Sequence, residues 1–334
     1  MTDAVRIGIL GTGAIAGRAL LEPARAVPGA AVVAVGSRER ERAASFAAEH
    51  GIDRAVTYDE LLADPDVDVV YVTLPPSLHA EWSIRAMEAG KDVLCEKPLA
   101  ANAEEAAAID AAATRTGRIF VEAFHYHHHP LAKRVRELVL DRAIGAVREV
   151  EATFHIPSSV VQPGNIRLDF GLGGGATMDC GCYPLHALRH LLGEPVRVVS
   201  AIATPDERDA RVDVGMTAEV EFPDGVRARV GASFRGGERP DVLMTLRGTR
   251  GELRVSSLYV PQWGGALSGN RGGHEFTEAV DPTPSYAFQL RELVRTVRDA
   301  APVLTNAADG VRTMRLVDDV YRAAGPPRAG SLQN

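Results

Sequence analysis

Over the first 125 residues, short apolar runs ending in glycine or a turn signal alternate with longer amphipathic stretches. Residues 5–10, 30–36, 67–73, 92–95 and 117–124 read as buried strands. Residues 14–27, 40–51, 78–89 and 103–116 read as helices between them, and Thr57-Tyr58-Asp59-Glu60 reads as a capped helix start. Continuous apolar strands separated by helices predict a parallel sheet covered on both faces. Past residue 146 the rhythm changes. Residues 147–154, 196–203, 212–222, 226–234, 241–247 and 251–256 alternate apolar and polar, and Pro223-Asp224-Gly225 signals a hairpin. Consecutive strands without helices between them predict a mostly antiparallel open sheet. The expected fold is therefore α/β: a Rossmann domain over 1–124, then an α+β substrate domain over 125–334. Amphipathic helices over 285–300 and 307–323, with Leu290, Leu293, Val294 and Val297 in one stripe, are expected to pack back toward the first domain. Residues 257–275, which contain Gly264-Gly265 and Gly272-Gly273, read as a mobile loop, and 325–334 as a loose tail.

The first strand runs straight into Gly11-Thr12-Gly13-Ala14-Ile15-Ala16 and then a helix. This is the dinucleotide fingerprint in its confirming context. Gly11 allows the turn, Gly13 admits a pyrophosphate and Ala16 lets helix and strand pack closely. An acidic residue at the end of the second strand would bind the ribose of NAD. This chain has Ser37-Arg38, with Arg42 one helical turn on, a set suited to a 2′-phosphate. The expectation is NADP(H) in preference to NAD(H). Thr73, Leu74, Pro75 and His79 follow another strand end, where ligands of open α/β sheets lie, although His79 could equally cap its helix.

Asp92-Val93-Leu94-Cys95-Glu96-Lys97-Pro98 is a buried strand ending in a charged pair and a proline. A solvated ion pair is the plain reading. A lysine on the same sheet edge as the glycine loop is the functional one. Farther on, Asp179, Tyr183 and His186 share one helical face, after three consecutive glycines that suggest a flexible lead-in, and Pro184 suggests a distortion. Periodicity alone favours a core helix, with Tyr183 packed on its ring and Asp179 as an N-terminal cap. The run His125-Tyr126-His127-His128-His129 lacks a carboxylate or cysteine at ligand spacing, so it is read as junction packing or cleft lining, with no metal expected.

A formal charge of −7 over 334 residues gives no basic footprint, so nucleic acid is not an expected partner. Three cysteines give no disulfide framework, and neither an apolar leader nor an apolar run of membrane-spanning length is present, so a cytoplasmic location is expected.

Together Gly11-Thr12-Gly13, the stretch from Tyr71 through Pro75 to His79, and Glu96-Lys97-Pro98 resemble the Gfo/Idh/MocA oxidoreductase family. Asp179-x-Gly181-x-Tyr183, Glu122-Ala123-Phe124 with His129-Pro130, and Ile166-Arg167 resemble its tyrosine branch, that of glucose-fructose oxidoreductase, dimeric dihydrodiol dehydrogenase and sugar 3-ketoreductases. The resemblance implies a catalytic Lys97, a proline that is often cis, and a homodimer formed through the open sheet face. It implies hydride exchange between a nicotinamide and a sugar, keto-sugar, inositol or dihydrodiol. Tyr183 would be the acid/base and Lys97 its electrostatic partner. Arg167, Asp179 and His186 would bind substrate, and Glu96 the nicotinamide-side ribose. Some relatives cleave glycosidic bonds redox-neutrally with NAD, and others sense nucleotides without catalysis. These are the alternatives.

Overall fold

The computed structural model describes residues 4–325. It divides into two compact units: Met1–Phe124 with Tyr286–Val311, and His125–Ser285 with the chain from Arg312 onward. The tail read over 325–334 lies, from 326 on, outside the described residues.

The first unit is a six-stranded parallel sheet in the order β3-β2-β1-β4-β5-β6. Its strands are β1 (Val5–Leu10), β2 (Ala30–Gly36), β3 (Arg54–Val56), β4 (Val69–Val72), β5 (Asp92–Cys95) and β6 (Phe120–Glu122). The helices are α1 (Glu22–Ala24), α2 (Arg40–His50), α3 (Tyr58–Ala63), α4 (His79–Glu88) and α5 (Ala103–Thr116). Local signals set their ends. Glycines at 51 and 117, with φ of +70° and +66°, stop α2 and α5. A capping box of Thr57 and Glu60 starts α3, and Asn102 caps α5 by accepting from the Glu105 N–H at 2.9 Å. Three-residue β3 is too short to show a period, which is why the hydrophobic pattern does not reveal it.

A later helix, α8 (Ser285–Asp299), returns to this unit. Its Leu290, Leu293 and Val294 join Ile7, Ile9, Leu20, Tyr71 and Leu94 in one core cluster. The expected stripe thus buries itself as core. Each such large side chain contributes on the order of 1.5–3 kcal/mol.

The second unit is built on an eight-stranded sheet in the order β14-β13-β12-β11-β7-β10-β9-β8. These are β7 (Val147–Pro157), β8 (Arg197–Pro205), β9 (Asp213–Glu221), β10 (Arg227–Gly236), β11 (Asp241–Gly248), β12 (Gly251–Ser256), β13 (Ala266–Arg271) and β14 (His274–Glu278). β7 and β10 are parallel, and every other pairing in this sheet is antiparallel among the described residues. One face is covered by residues 177–181 and α7 (Cys182–Leu192), on which α6 (Pro130–Leu140) packs, and the last helix, α9 (Ala307–Ala324), is divided between the two units. The other face carries charged pairs, Arg227 with Glu219 and Arg247 with Glu252, and exposes Ile202.

Two expectations are corrected here. Residues 257–275 are not one mobile loop: β13 and the start of β14 lie within them. Gly272 and Gly273, at φ +60° and +89°, make the tight turn between these strands, where two left-handed residues match the strand twist. The glycines at 173–175 are not a flexible lead-in either. A Cβ on Gly174 would stand 2.5 Å from the Arg167 carbonyl oxygen, and one on Gly175 would stand 2.3 Å from Asp213 Oδ1. Glycine is needed there because other groups occupy the space.

Candidate active site

In the first unit the site is made by strand ends. β2, β1, β4 and β5 are neighbours, so their carboxyl ends share one edge of the sheet. Ser37-Arg38, the Gly11–Ile15 turn, Thr73–Pro75 and Glu96-Lys97 follow those ends in turn. The chain order reverses between β1 and β4, which is where such sheets bind nucleotides.

Close packing holds the turn. Gly11 has φ +110°, and a Cβ there would meet Thr73 Oγ1 at 2.8 Å; one on Gly13 would meet the Thr73 carbonyl at 3.0 Å. Ala16 is fully buried, whereas Thr12, Gly13 and Ile15 are half-buried and Ala14 is exposed. The following helix opens with a π-helical turn, Gly17–Leu21, just before Pro23. Proline lacks the N–H that would continue an α-helical ladder, and the wider turn absorbs the mismatch. Beyond β2, Ser37 is buried, and Arg38 and Arg42 are exposed. Arg40 pairs with Glu60, while Arg38 and Arg42 have no carboxylate partner among the described residues. Both lie near the Tyr58 hydroxyl and favour its ionised form, although burial outweighs them and raises its pKa. A glycine cradle beside two uncommitted guanidiniums fits a dinucleotide bearing an extra phosphate.

After β5, the Glu96 carboxylate is buried and accepts the Tyr71 hydroxyl at 2.5 Å. Burial raises the Glu96 pKa against the pull of Tyr71 and Lys97, and burial together with Glu96 drives the Tyr71 hydroxyl well above its ordinary value. Lys97 is half-buried, and its peptide to Pro98 is cis. His79 is fully buried. Its Nδ1 lies 2.9 Å from the Pro98 carbonyl oxygen and its Nε2 lies 2.7 Å from that of Leu74. It thereby fastens the Lys97-Pro98 loop to the Leu74-Pro75 loop. Burial outweighs the two carbonyls and lowers its pKa. Leu74 and Pro75 remain half-buried.

In the second unit the site is made by side chains. The helix bearing Tyr183 begins as a π-helical turn, Thr177–Gly181, and continues as α7, with Pro184 in its first turn. The distortion has the same origin as the one before Pro23. Asp213 holds its start, accepting from Thr177 N–H at 2.9 Å, Thr177 Oγ1 at 2.7 Å and the Tyr321 hydroxyl at 2.6 Å. A carboxylate suits the positive end of a helix. Asp179 is turned to Arg167, whose Nε donates to it at 2.6 Å. That carboxylate holds the guanidinium above its ordinary pKa against the cost of burial.

Tyr183 is 5% exposed, with its hydroxyl 3.2 Å from His125 Nε2. His125 Nδ1 lies 2.8 Å from Ser285 Oγ, which donates to Gln262 Oε1 at 3.0 Å. The serine hydrogen is therefore committed to Gln262, so the serine accepts from His125 Nδ1–H, and His125 Nε2 accepts from Tyr183. His186, fully buried, has Nδ1 2.6 Å from the Tyr126 hydroxyl. Tyr126, Phe154 and Tyr259 pack around the Tyr183 ring, at 5.4–6.0 Å between centroids. Within this unit the structure thus brings Arg167 to Asp179 and Tyr183 to His125, while His186 meets Tyr126. Sequence reasoning missed Tyr71, Ser285 and Gln262 as partners and left His125 without a role. A buried tyrosine in the strand beside Glu96 was a usable signal for Tyr71; nothing local announces Gln262.

Residues 5–124 match the family model for the GFO/IDH/MocA oxidoreductase family, NAD-binding Rossmann fold, and residues 132–254 match a C-terminal domain of the same family. The chain belongs to the GFO/IDH/MocA family. It is 37% identical over 323 residues to a D-xylose 1-dehydrogenase (NADP(+)) from Haloferax volcanii, covering 95% of this chain and 96% of that one. Among solved structures it is similar to a 3-ketoreductase from Actinomadura kijaniata in complex with NADP and TDP-benzene, with TM-score 0.85, 31% identity and coverage of 96% and 98%. It is also similar to an aldose-aldose oxidoreductase from Caulobacter crescentus complexed with glycerol, with TM-score 0.87, 28% identity and coverage of 96% and 97%. No helix among the described residues is long and apolar enough to cross a membrane.

Proposed function

We propose that this chain is an NADP(H)-dependent oxidoreductase of sugars or keto-sugars, with Tyr183 as acid/base and Lys97 assisting it. The observation that carries this reading is the convergence of the Gly11–Ile15 turn, Ser37-Arg38, Thr73–Pro75 and Glu96-Lys97 on one sheet edge. Similarity to the D-xylose 1-dehydrogenase (NADP(+)) and to the 3-ketoreductase in complex with NADP supports it.

Gly11, Thr12, Gly13, Ala14 and Ile15 hold the pyrophosphate, and Ser37, Arg38 and Arg42 the 2′-phosphate. Thr73, Leu74 and Pro75 line the cofactor, and His79 acts on it through the loops it fastens. Glu96, oriented by Tyr71, holds the nicotinamide-side ribose. Bound NADP(H) supplies or accepts the hydride. Reduction leaves negative charge on the carbonyl oxygen. Tyr183 delivers the proton there, and the Lys97 ammonium stabilises the tyrosinate that remains. In oxidation the steps reverse: Tyr183, ionised by loss of its proton to His125 Nε2 beside it, takes the proton of the substrate hydroxyl. His125 is thus a positioning residue acting through Tyr183. Arg167, Asp179 and His186 bind the other polar groups of the substrate. The charged outer face of the eight-stranded sheet is the surface through which two copies associate, to be read by light scattering.

Lys97→Met and Tyr183→Phe should each lower turnover by about 10²–10⁴-fold with NADPH affinity retained. Near-normal turnover in either variant removes the assignment. Aldoses and keto-sugars should be consumed only with matching change of added NADP(H). Turnover without net cofactor change favours a redox-neutral enzyme instead.

A further inference from the structure

The histidine run supplies one member of a cluster that no local spacing reveals. His127, in the turn before α6, meets His186 and His190 of α7, and one ring nitrogen from each lies within 4.8 Å of the others. The ring centroids are 5.6 Å apart for His127 and His186, 4.4 Å for His127 and His190, and 4.3 Å for His186 and His190. We propose that His127, His186 and His190 form a three-imidazole site for a divalent transition-metal ion such as zinc, with the fourth position left to water or a small anion.

Three observations carry this. First, His186 and His190 are four residues apart on α7, so their side chains leave the same face one turn apart. That is the spacing at which two helical histidines share one zinc ion. Second, the donors are nearly close enough. Tetrahedral zinc with nitrogens at about 2.0–2.1 Å separates those nitrogens by about 3.3 Å. Starting from a limit of 4.8 Å, the most distant pair must close by no more than about 1.5 Å, within reach of small side-chain rotations. Third, the Tyr126 hydroxyl already lies 2.6 Å from His186 Nδ1. A metal-binding imidazole directs its other N–H at such an oxygen, which fixes Nε2 as the ligand atom.

Burial agrees with an accessible ion. His186 is fully buried, whereas His127 and His190 are half-buried, so the cluster has a dry side and a wet side. Imidazole donors suit zinc, copper or nickel, whereas calcium and magnesium require oxygen ligands. The sequence expectation of no metal weighed only residues 125–129, where a carboxylate or cysteine is missing. The two further ligands come from a helix that the fold lays beside that run. The site shares His186 with the substrate contacts proposed above, but its test reads metal binding alone, so its failure and that of the reductase reading are distinguishable.

The test uses the full-length untagged chain, stripped with EDTA and desalted. Cobalt(II) titration should give visible ligand-field bands saturating at one equivalent, displaced by zinc. Zinc affinity is then measured by competition with a chromogenic chelator. His127→Ala and His190→Ala should each weaken zinc by at least about a hundredfold, and Tyr126→Phe by about tenfold. His190→Cys should bind, because thiolate replaces imidazole as a zinc ligand. His155→Ala, outside the cluster, should bind as the parent does. Absence of cobalt bands in the parent protein overturns the proposal. So does parent-like affinity in folded His127→Ala and His190→Ala proteins, which would put the ion elsewhere.

Discussion

The two units build their candidate sites from different materials. In the first, the backbone does it: four neighbouring strands end on one edge, and the sheet places the residues just past each end. In the second, side chains do it, through Tyr183 on His125, His125 on Ser285, His186 on Tyr126 and Arg167 on Asp179. A backbone-built site keeps its shape when a side chain is lost and fails when the turn fails. A side-chain-built site fails wherever its chain of donors and acceptors is cut.

The largest effect should come where the side-chain unit depends on a missing one. Gly175→Ala puts a Cβ against Asp213 Oδ1, which Tyr321 already holds, at a φ of +134°. It should cost on the order of 3 kcal/mol or more, read as a fall in the denaturation midpoint. Gly11→Ala, strained at φ +110° against the softer Thr73 hydroxyl, should cost less stability yet abolish NADPH binding. Equal stability losses would erase the distinction.

A pH experiment separates the units next. His128 is buried beside the Lys133 charge, and burial lowers its pKa to about 4. The unfolded chain takes up that proton near the ordinary value of about 6.5. Between these values the unfolded state binds more protons, so stability falls as the pH falls, by roughly 3 kcal/mol in all. His128→Phe should flatten that part of the stability curve between about pH 6.5 and 4, leaving the contributions of His79 in the first unit and His129 in the second, whose pKa values burial also lowers. An unchanged slope would dismiss the assignment.

Smaller effects are expected at the residues that support Tyr183 and the cofactor. His125→Phe should lower kcat about 30-fold, near 2 kcal/mol, and displace the pH profile, with NADPH affinity unchanged and partial recovery in His125→Asn. A purely structural role would leave the profile in place. Arg38→Ala should raise the KM for NADPH about tenfold, near 1.4 kcal/mol, and leave that for NADH alone. Parallel changes for both cofactors would remove the 2′-phosphate assignment.

The same contrast governs what could be read ahead of the fold. Gly11, Gly13, Ser37, Arg38, Glu96 and Lys97 each sit immediately after a recognisable strand, so hydrophobic period and turn signals locate them without tertiary knowledge. His125 also stands in a conspicuous run, but its partners Tyr183 and Ser285 are 58 and 160 residues away. Nothing in a local pattern chooses His125 rather than its neighbours for Tyr183. The hairpin of β13 and β14 escaped because its strands carry Ser268, Asn270, His274 and Thr277 and lack a clear apolar face.

By itself the sequence determined the alternation of strands and helices, the dinucleotide turn, the basic residues after β2 and the lysine after β5. Those depend on short-range periodicity and on residues whose backbone geometry is their signal. The tertiary structure alone decided that Gly174 and Gly175 leave spaces filled by Arg167 and Asp213, and that Tyr71 orients Glu96. It also decided that His125 meets Tyr183 and that His127 meets two histidines of α7. These are contacts between segments far apart in the chain, and packing, which acts on distance in space, selects them.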